Sequence, residues 1–300
     1  MFLKPRFPSR ELLCLRSLAS RMELPLKYRQ QLTNMEKGLN GEMHFDSQLQ
    51  GLPDEAAILC DLLFEINNTY FQIDTLLFSP EVVRLFEVKN YEGDFVIENE
   101  AWYSAAGYEI KNPLLQLQRN QSLLRQLFQK HHISLPVQSF LIFTHPNFYV
   151  YQASPDLPII FPHQIEPYVS QWKHDTVPLS DESSRAVEKL QALHIETSLF
   201  RQLPPFTRKL LQNGIRCRSC SAFLKLPQRT LVCPACGVTE SLEKGVIRNT
   251  EEWKLLFPEA PLTTRGMHEW CGLNIDKKRI KRILSKNYNR SGYGRRSFFQ

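Results

Sequence analysis

The sequence predicts an α/β (α+β) domain of strands and helices, followed by a small cysteine-held module and a basic helical one. Three observations predict it. Apolar residues recur at helical spacing from Met35 to Leu49 and from Pro113 to about Gln129, whereas Ala57–Phe64, Tyr70–Phe78, Val82–Lys89 and Val137–Phe143 are β-branched and apolar runs of strand length. Beyond Pro204 and Pro205 the composition changes and two Cys-x-x-Cys pairs follow. The charge is also split: the 300-residue chain carries +6, but residues 277–300 hold nine Lys/Arg and no Asp/Glu, so everything before them sums to −3.

Taken in order, residues 1–35 are basic and interrupted by Pro5, Pro8 and Pro25, the pattern of a loosely attached lead-in with no chemistry of its own. Met35, Leu39, Met43, Phe45 and Leu49 then mark a helix that Gly51, Pro53 and Asp54 stop. Ser79-Pro80-Glu81 separates two strands as a tight turn, Phe95–Ile97 and Ala101–Ser104 form a further strand pair, and Pro113 suits the first turn of a helix. With Val137–Phe143, these make one domain over 36–172. Asp181–Leu193 is a helix within a linker, 173–213. A cysteine module at 214–240 and a helical basic module at 250–300 complete the chain. In the latter, Gly272 ends a helix begun at Thr263, and Asp276 caps the next, with Ile275 and Ile280 as a hydrophobic staple and Ile283 and Leu284 extending the apolar stripe.

At 42% hydrophobic and 23% charged residues the chain is expected to be globular and soluble, which excludes disorder as the whole answer. It lacks the roughly 20 consecutive apolar residues of a membrane span, and Arg interrupts the first residues before a signal-peptide core can form. A cytoplasmic location is the expectation. Seven cysteines without an export signal favour reduced thiols or metal ligands over a disulfide framework. Cys14, Cys60 and Cys271 fall outside the paired pattern and read as buried thiols.

The most informative segment is the hairpin of Tyr70–Phe78 and Val82–Lys89. Alternation places Gln72, Asp74 and Leu76 on one face and Leu85, Glu87 and Lys89 on one face. A turn centred between Pro80 and Glu81 sets Asp74 opposite Glu87. Facing carboxylates repel, and a hard divalent ion such as Mg²⁺ or Mn²⁺, which takes one or two carboxylates together with water and phosphate, removes the conflict. Lys89 would then point at the same spot, able to orient water or stabilise phosphorane charge. An ordinary Glu/Lys pair on an exposed face is the competing reading.

Together with Glu42 in the preceding helix, this pattern resembles the PD-(D/E)xK nuclease superfamily. Gly38–Glu42, Phe71–Asp74, Phe86–Gly93, Trp102 and Asn112–Gln116 are similar, in order, to the nuclease-related domain (NERD) family over about 36–170. The resemblance implies a restriction-endonuclease-like core of mixed sheet flanked by helices, with Glu42, Asp74 and Glu87 as metal-binding acids and Lys89 as catalytic lysine. Gln72 stands where Glu is also acceptable. Gln116 and Asn120, one turn apart, can project together toward phosphate or a metal-bound water; a solvated helix face competes with this for both and is the favoured reading for Asn120. Glu42 itself lies near the buried stripe of its helix, where an early-turn acid favoured by the macrodipole is the alternative; Gly41 beside it admits a close neighbour.

Cys217, Cys220, Cys233 and Cys236 form two short loops twelve residues apart, the spacing of a Cys₄ zinc ribbon in which a closed coordination shell makes zinc structural; redox pairs and disulfides compete with this reading. Lys277, Lys278, Arg279, Lys281 and Arg282 cover the outer faces of the last helix, which resembles a helix-turn-helix recognition helix followed by a basic aromatic tail from Tyr288 to Phe299. These point to nucleic acid, DNA favoured, as the partner, against a solvated charged helix. His131, His132 and His145 read as helix-end or surface residues. The expected function is a metal-dependent nuclease; the alternative is a non-catalytic nucleic-acid-binding protein on a nuclease scaffold.

Overall fold

In the computed structural model, residues 1–173, 177–196, 202–293 and 297–300 are described. The chain divides into two units: Met1–Pro8 with Asn34–Phe200, and Ser9–Thr33 with Arg201–Gln300. In chain order the first elements are β1 (Phe2–Lys4), α1 (Arg10–Ala19) and α2 (Leu26–Leu49), the last spanning the boundary between units.

The first unit continues with β2 (Ala57–Ile66), β3 (Thr69–Phe78), β4 (Val83–Lys89), β5 (Gly93–Glu98), β6 (Ala101–Ser104), β7 (Glu109–Ile110), α3 (Pro113–Lys130), β8 (Val137–Phe143), β9 (Phe148–Tyr151), β10 (Ile159–Ile160), α4 (Ile165–Ser170) and α5 (Asp181–Leu193). A six-stranded mixed sheet runs β1-β2-β3-β4-β8-β10 and a four-stranded sheet runs β7-β6-β5-β9. Strand alternation gives the larger sheet two apolar faces. Leu85 of β4 packs with Leu117, Leu124 and Leu127 of α3 and with Val187 and Leu190 of α5. Phe86 and Val88 pack instead with Phe45 and Leu49 of α2. The hairpin register is the expected one as far as the ladder runs: Thr75 faces Phe86 and Leu76 faces Leu85, and Asp74 and Glu87 lie just beyond its last pair.

Strict alternation nevertheless fails in β2 and β3. The cluster under α3 takes Ala57 and Leu59 but then Leu62 and Phe64, and likewise Phe71 and Ile73 but then Leu76 and Phe78. The β2–β3 pairing steps from Cys60–Thr75 to Leu62–Ile73, and Asp61 between them has φ 53. A left-handed residue within a strand rolls the chain over, so Gln72 and Leu76 do not share a face as simple alternation predicted.

The second unit holds α1, the start of α2, β11 (Thr230–Val232), β12 (Thr239–Ser241), α6 (Leu242–Leu256), α7 (Thr264–Cys271), α8 (Lys277–Asn287), β13 (Arg290–Ser291) and β14 (Phe298–Phe299). Gly272, at φ 59, ends α7 and the Asp276 carboxylate accepts from the Lys278 N–H to start α8. Ile275 and Ile280 are both buried, as a staple requires.

Three boundaries differ from expectation. Residues 1–35 are no loose lead-in: β1 pairs in parallel with β2, while Leu15 and Leu18 of α1 are fully buried. The helix inside the expected linker 173–213 is part of the first unit's core, through Ala186, Val187 and Leu190; residues 174–176 and 197–201 of that linker lie outside the described residues. The cysteine module and basic module are not separate, because Ile215, Leu224 and Leu231 share one apolar cluster with Val246, Trp270 and Ile280. Neither short segment has enough apolar surface to bury alone, so they pool it. Among the described residues no helix is long and apolar enough to cross a membrane.

Candidate active site and cysteine centre

Gly41 decides how close α2 comes to the sheet. A Cβ there would lie 2.5 Å from the Asn90 Cβ and 2.7 Å from the Thr144 Oγ1, closer than real atoms approach, so only glycine admits this packing. Asn90, just past β4, donates from Nδ2 to the Lys37 carbonyl at 2.8 Å and ties the two elements together. The next residue of the helix, Glu42, thereby borders the end of the acidic hairpin.

Glu42, Gln72, Asp74, Glu87, Lys89 and Gln116 all line one cleft of about 770 Å³. Asp74 is buried and its Oδ2 accepts from the Val88 N–H at 2.8 Å. Glu87, 1% exposed, accepts from Lys89 Nζ at 2.7 Å, from Gln116 Nε2, and from Asn120 Nδ2 at 3.1 Å. Lys89 also donates to Gln116 Oε1 at 3.1 Å. Asn120 is therefore no solvated helix residue: it is 2% exposed and holds both Glu87 and the Gln72 carbonyl. Gln72 turns its own amide to Asp61 Oδ1 at 2.7 Å.

Burial sets the electrostatics. It pushes Glu42 up to about 7, reinforced by Asp74 and opposed by Arg6. Burial followed by the Asp74 charge does the same to Glu87, also to about 7, against the pull of Lys89. Asp74 is raised by burial too, in spite of Lys89, the Val88 N–H and Arg6. For Lys89, burial acts downward, but Glu87 and Asp74 outweigh it and hold the ammonium above its ordinary value. The cleft thus keeps its lysine charged and brings Glu42 and Glu87 to titrate near neutral pH.

An all-oxygen donor set of this kind suits a hard divalent ion. The three acids do not close into a single cage, because the four paired cysteines are the only group of three or more His, Cys, Asp or Glu among the described residues whose ligand atoms all lie within 4.8 Å of one another. Three oxygens bound to one Mg²⁺ at about 2.1 Å could be no more than about 4.2 Å apart, so the three acids as they stand would not all ligate one ion directly.

Sequence reasoning missed Arg6, Asp46 and Asp61. Arg6 pairs with Glu42 and Asp46, and Asp61 lends its charge to the environment of Asp74 and Glu42. Asp46 stands one helical turn after Glu42, and Asp61 interrupts an apolar strand; both were visible signals. Arg6 carried none.

In the second unit the cysteine loops repeat one local geometry. The Ser221 N–H donates to the Cys217 carbonyl and the Gly237 N–H to the Cys233 carbonyl, each at 3.1 Å, with φ 61 at Ser221 and φ 72 at Gly237. Each loop so presents two sulfurs at one point. Cys217 Sγ lies 3.6 Å from Cys236 Sγ and Cys220 Sγ 3.4 Å from Cys233 Sγ, far beyond disulfide length and close to the ~3.8 Å edge of a tetrahedron with Zn–S of about 2.3 Å. The Cys236 backbone N–H pulls the Cys233 thiol down to about 6, so a thiolate is available. The cluster fits zinc. In α8, Lys277, Lys278, Lys281 and Arg282 are exposed and Arg279 is half-buried; Lys286 pairs with Glu243 at 2.9 Å, so the absence of local acids did not leave every cation unpaired. Arg295 and Arg296 of the basic tail lie outside the described residues.

A mixed sheet flanked by helices thus holds an acidic hairpin and a lysine in one cleft. Residues 37–144 match the family model of the nuclease-related domain, a segment that runs from α2 through β8 and holds all six cleft residues named above. No curated protein and no solved structure matches the chain.

Proposed function

We propose that this protein is a metal-dependent nuclease that hydrolyses phosphodiester bonds of nucleic acid, DNA favoured. The observation that carries the reading is the convergence of Asp74, Glu87 and Lys89 in one cleft, with Glu87 fixed by three donors. Asp74 and Glu87 would hold Mg²⁺ or Mn²⁺, and Glu42 would reach it through water. Such an ion supplies charge stabilisation to the phosphate and lowers the pKa of bound water. Lys89, kept charged by the two acids, orients a water or stabilises the charge that builds on the phosphoryl oxygens. Gln116 and Asn120 hold Glu87 in place, so that its carboxylate need not reorganise during the reaction. Gln72 braces Asp61 at the rim.

In the second unit, zinc on Cys217, Cys220, Cys233 and Cys236 is structural, since four thiolates leave no open position. Lys277, Lys278, Arg279, Lys281 and Arg282 contact phosphates along α8. The test is cleavage of single- and double-stranded DNA and RNA with Mg²⁺ or Mn²⁺ by the full chain, Asp74→Asn and Lys89→Met. Loss of cleavage in both variants with unchanged circular dichroism is the expected result. A wild-type chain that binds nucleic acid yet cuts none of these substrates would replace this reading by that of a non-catalytic binding protein.

A further inference from the structure

Arg6 lies outside the segment that matches the nuclease-related domain, yet it reaches the heart of the cleft wall. Its side chain is 2% exposed and spends every nitrogen. Nη1 donates to Glu42 Oε2 at 2.8 Å, Nε to Asp46 Oδ2 at 2.9 Å, and Nη2 to the Asp74 carbonyl at 2.8 Å and Thr75 Oγ1 at 2.9 Å. One planar fork thus joins α2 to β3 at the position of Asp74. The strand that delivers it, β1, is itself anchored beside β2, where Lys4 Nζ donates to the Cys60 and Asp61 carbonyls at 2.8 Å each.

Glu42 and Asp46 are one helical turn apart and of like charge, an arrangement that drives two carboxylates away from each other. The guanidinium removes that repulsion. It takes only Oε2 of Glu42, and among the described residues no hydrogen bond is made by Oε1. We propose that Arg6 is a positioning residue that fixes the Glu42 carboxylate against the Asp74 backbone, so that residues 1–8 complete a metal site otherwise built from 37–144. The proposal rests on the nuclease reading of the cleft. A lysine at this position would keep the charge but not the geometry, since one ammonium cannot address four acceptors spread over two elements.

The test measures Mn²⁺ binding to the zinc-replete full chain by titration calorimetry and electron paramagnetic resonance, without reference to cleavage. Orienting partners of metal ligands typically contribute about 10–100-fold in affinity. Arg6→Met and Arg6→Lys should each weaken Mn²⁺ binding by at least about tenfold, on that scale. In a Glu42→Gln background Arg6→Met should cost less than about threefold, because the group it positions is gone. A residue that merely stabilised the fold would show no such non-additivity. If Arg6→Met does not fold, Arg6→Lys combined with Glu42→Gln runs the same cycle. Wild-type affinity in either Arg6 variant, or an undiminished cost in the Glu42→Gln background, would overturn the assignment alone. Mn²⁺ binding unaffected by Asp74→Asn would overturn the metal-site reading and this assignment with it.

Discussion

Metal binding at the acidic cleft should be strongly coupled to protons, and the size of the coupling follows from the two carboxyls at about 7, Glu42 and Glu87. An ion held directly by Glu87 and through water by Glu42 is bound best when both are ionised, so raising the pH should raise its apparent affinity. For one group of pKa 7, the protonation penalty on binding falls about tenfold between pH 6 and pH 8, and for two groups about a hundredfold. Calorimetric Mn²⁺ titrations of the full chain at pH 6, 7 and 8, repeated in buffers of different ionisation enthalpy, read both the affinity and the protons released. Glu42→Gln should reduce the pH dependence to about tenfold, because one of the two titrating groups is removed. Affinity that does not vary from pH 6 to pH 8, with no proton release, would mean that neither Glu42 nor Glu87 gives up a proton when the ion binds. The same shifts have a consequence without metal. Both acids have folded values above their ordinary ones, so the stability they contribute is fully present below about pH 4.5 and is lost as pH rises through about 7. Without added Mg²⁺ or Mn²⁺ the first unit should therefore resist urea better at pH 5.5 than at pH 8.

Gly41→Ala should destabilise the first unit by about 1–3 kcal/mol, because its Cβ would meet the Asn90 Cβ at 2.5 Å, and urea unfolding checks this. Cys217→Ser should abolish stoichiometric zinc and loosen more than the ribbon: Ile215 and Leu231 pack with Val246 and Trp270, so hydrogen exchange should rise in α6 and α7 as well. Confinement of the change to 214–240 would contradict the shared core. Replacing Lys277, Lys278, Lys281 and Arg282 by Gln should leave the fold intact, since Ile280 and Leu284 make the buried face of α8. Nucleic-acid binding should then show a slope of log K against log salt shallower by about one unit per lost phosphate contact. An unchanged slope would mean that α8 faces solvent or another partner.

Features that short-range periodicity can specify were legible in the chain before it folded. Strand alternation and the Ser79–Glu81 turn were enough to give the hairpin its register up to Thr75 and Phe86, and Val137–Phe143 and Asp181–Leu193 have the boundaries their apolar patterns predicted. Capping by Asp276 and the end of α7 at Gly272 were likewise legible, because such signals act over a few residues. The cysteine spacing prescribed a four-sulfur cluster for the same reason. The rest depends on contacts between distant segments. Asn120 looks like a surface amide until α3 is laid on β4, where it meets Glu87. Lys286 looks unpaired until α6 brings Glu243 beside it. The reversal of facing at Asp61 depends on a backbone conformation that no alternation pattern encodes. Arg6 is the furthest case: its partners lie 36, 40, 68 and 69 residues away, and it belongs to the first unit although Ser9–Thr33, which follow it, belong to the second. Local patterns record which face of an element is apolar, but the partner of a buried charge is chosen by whichever elements meet there, and that choice is made only when the chain closes on itself.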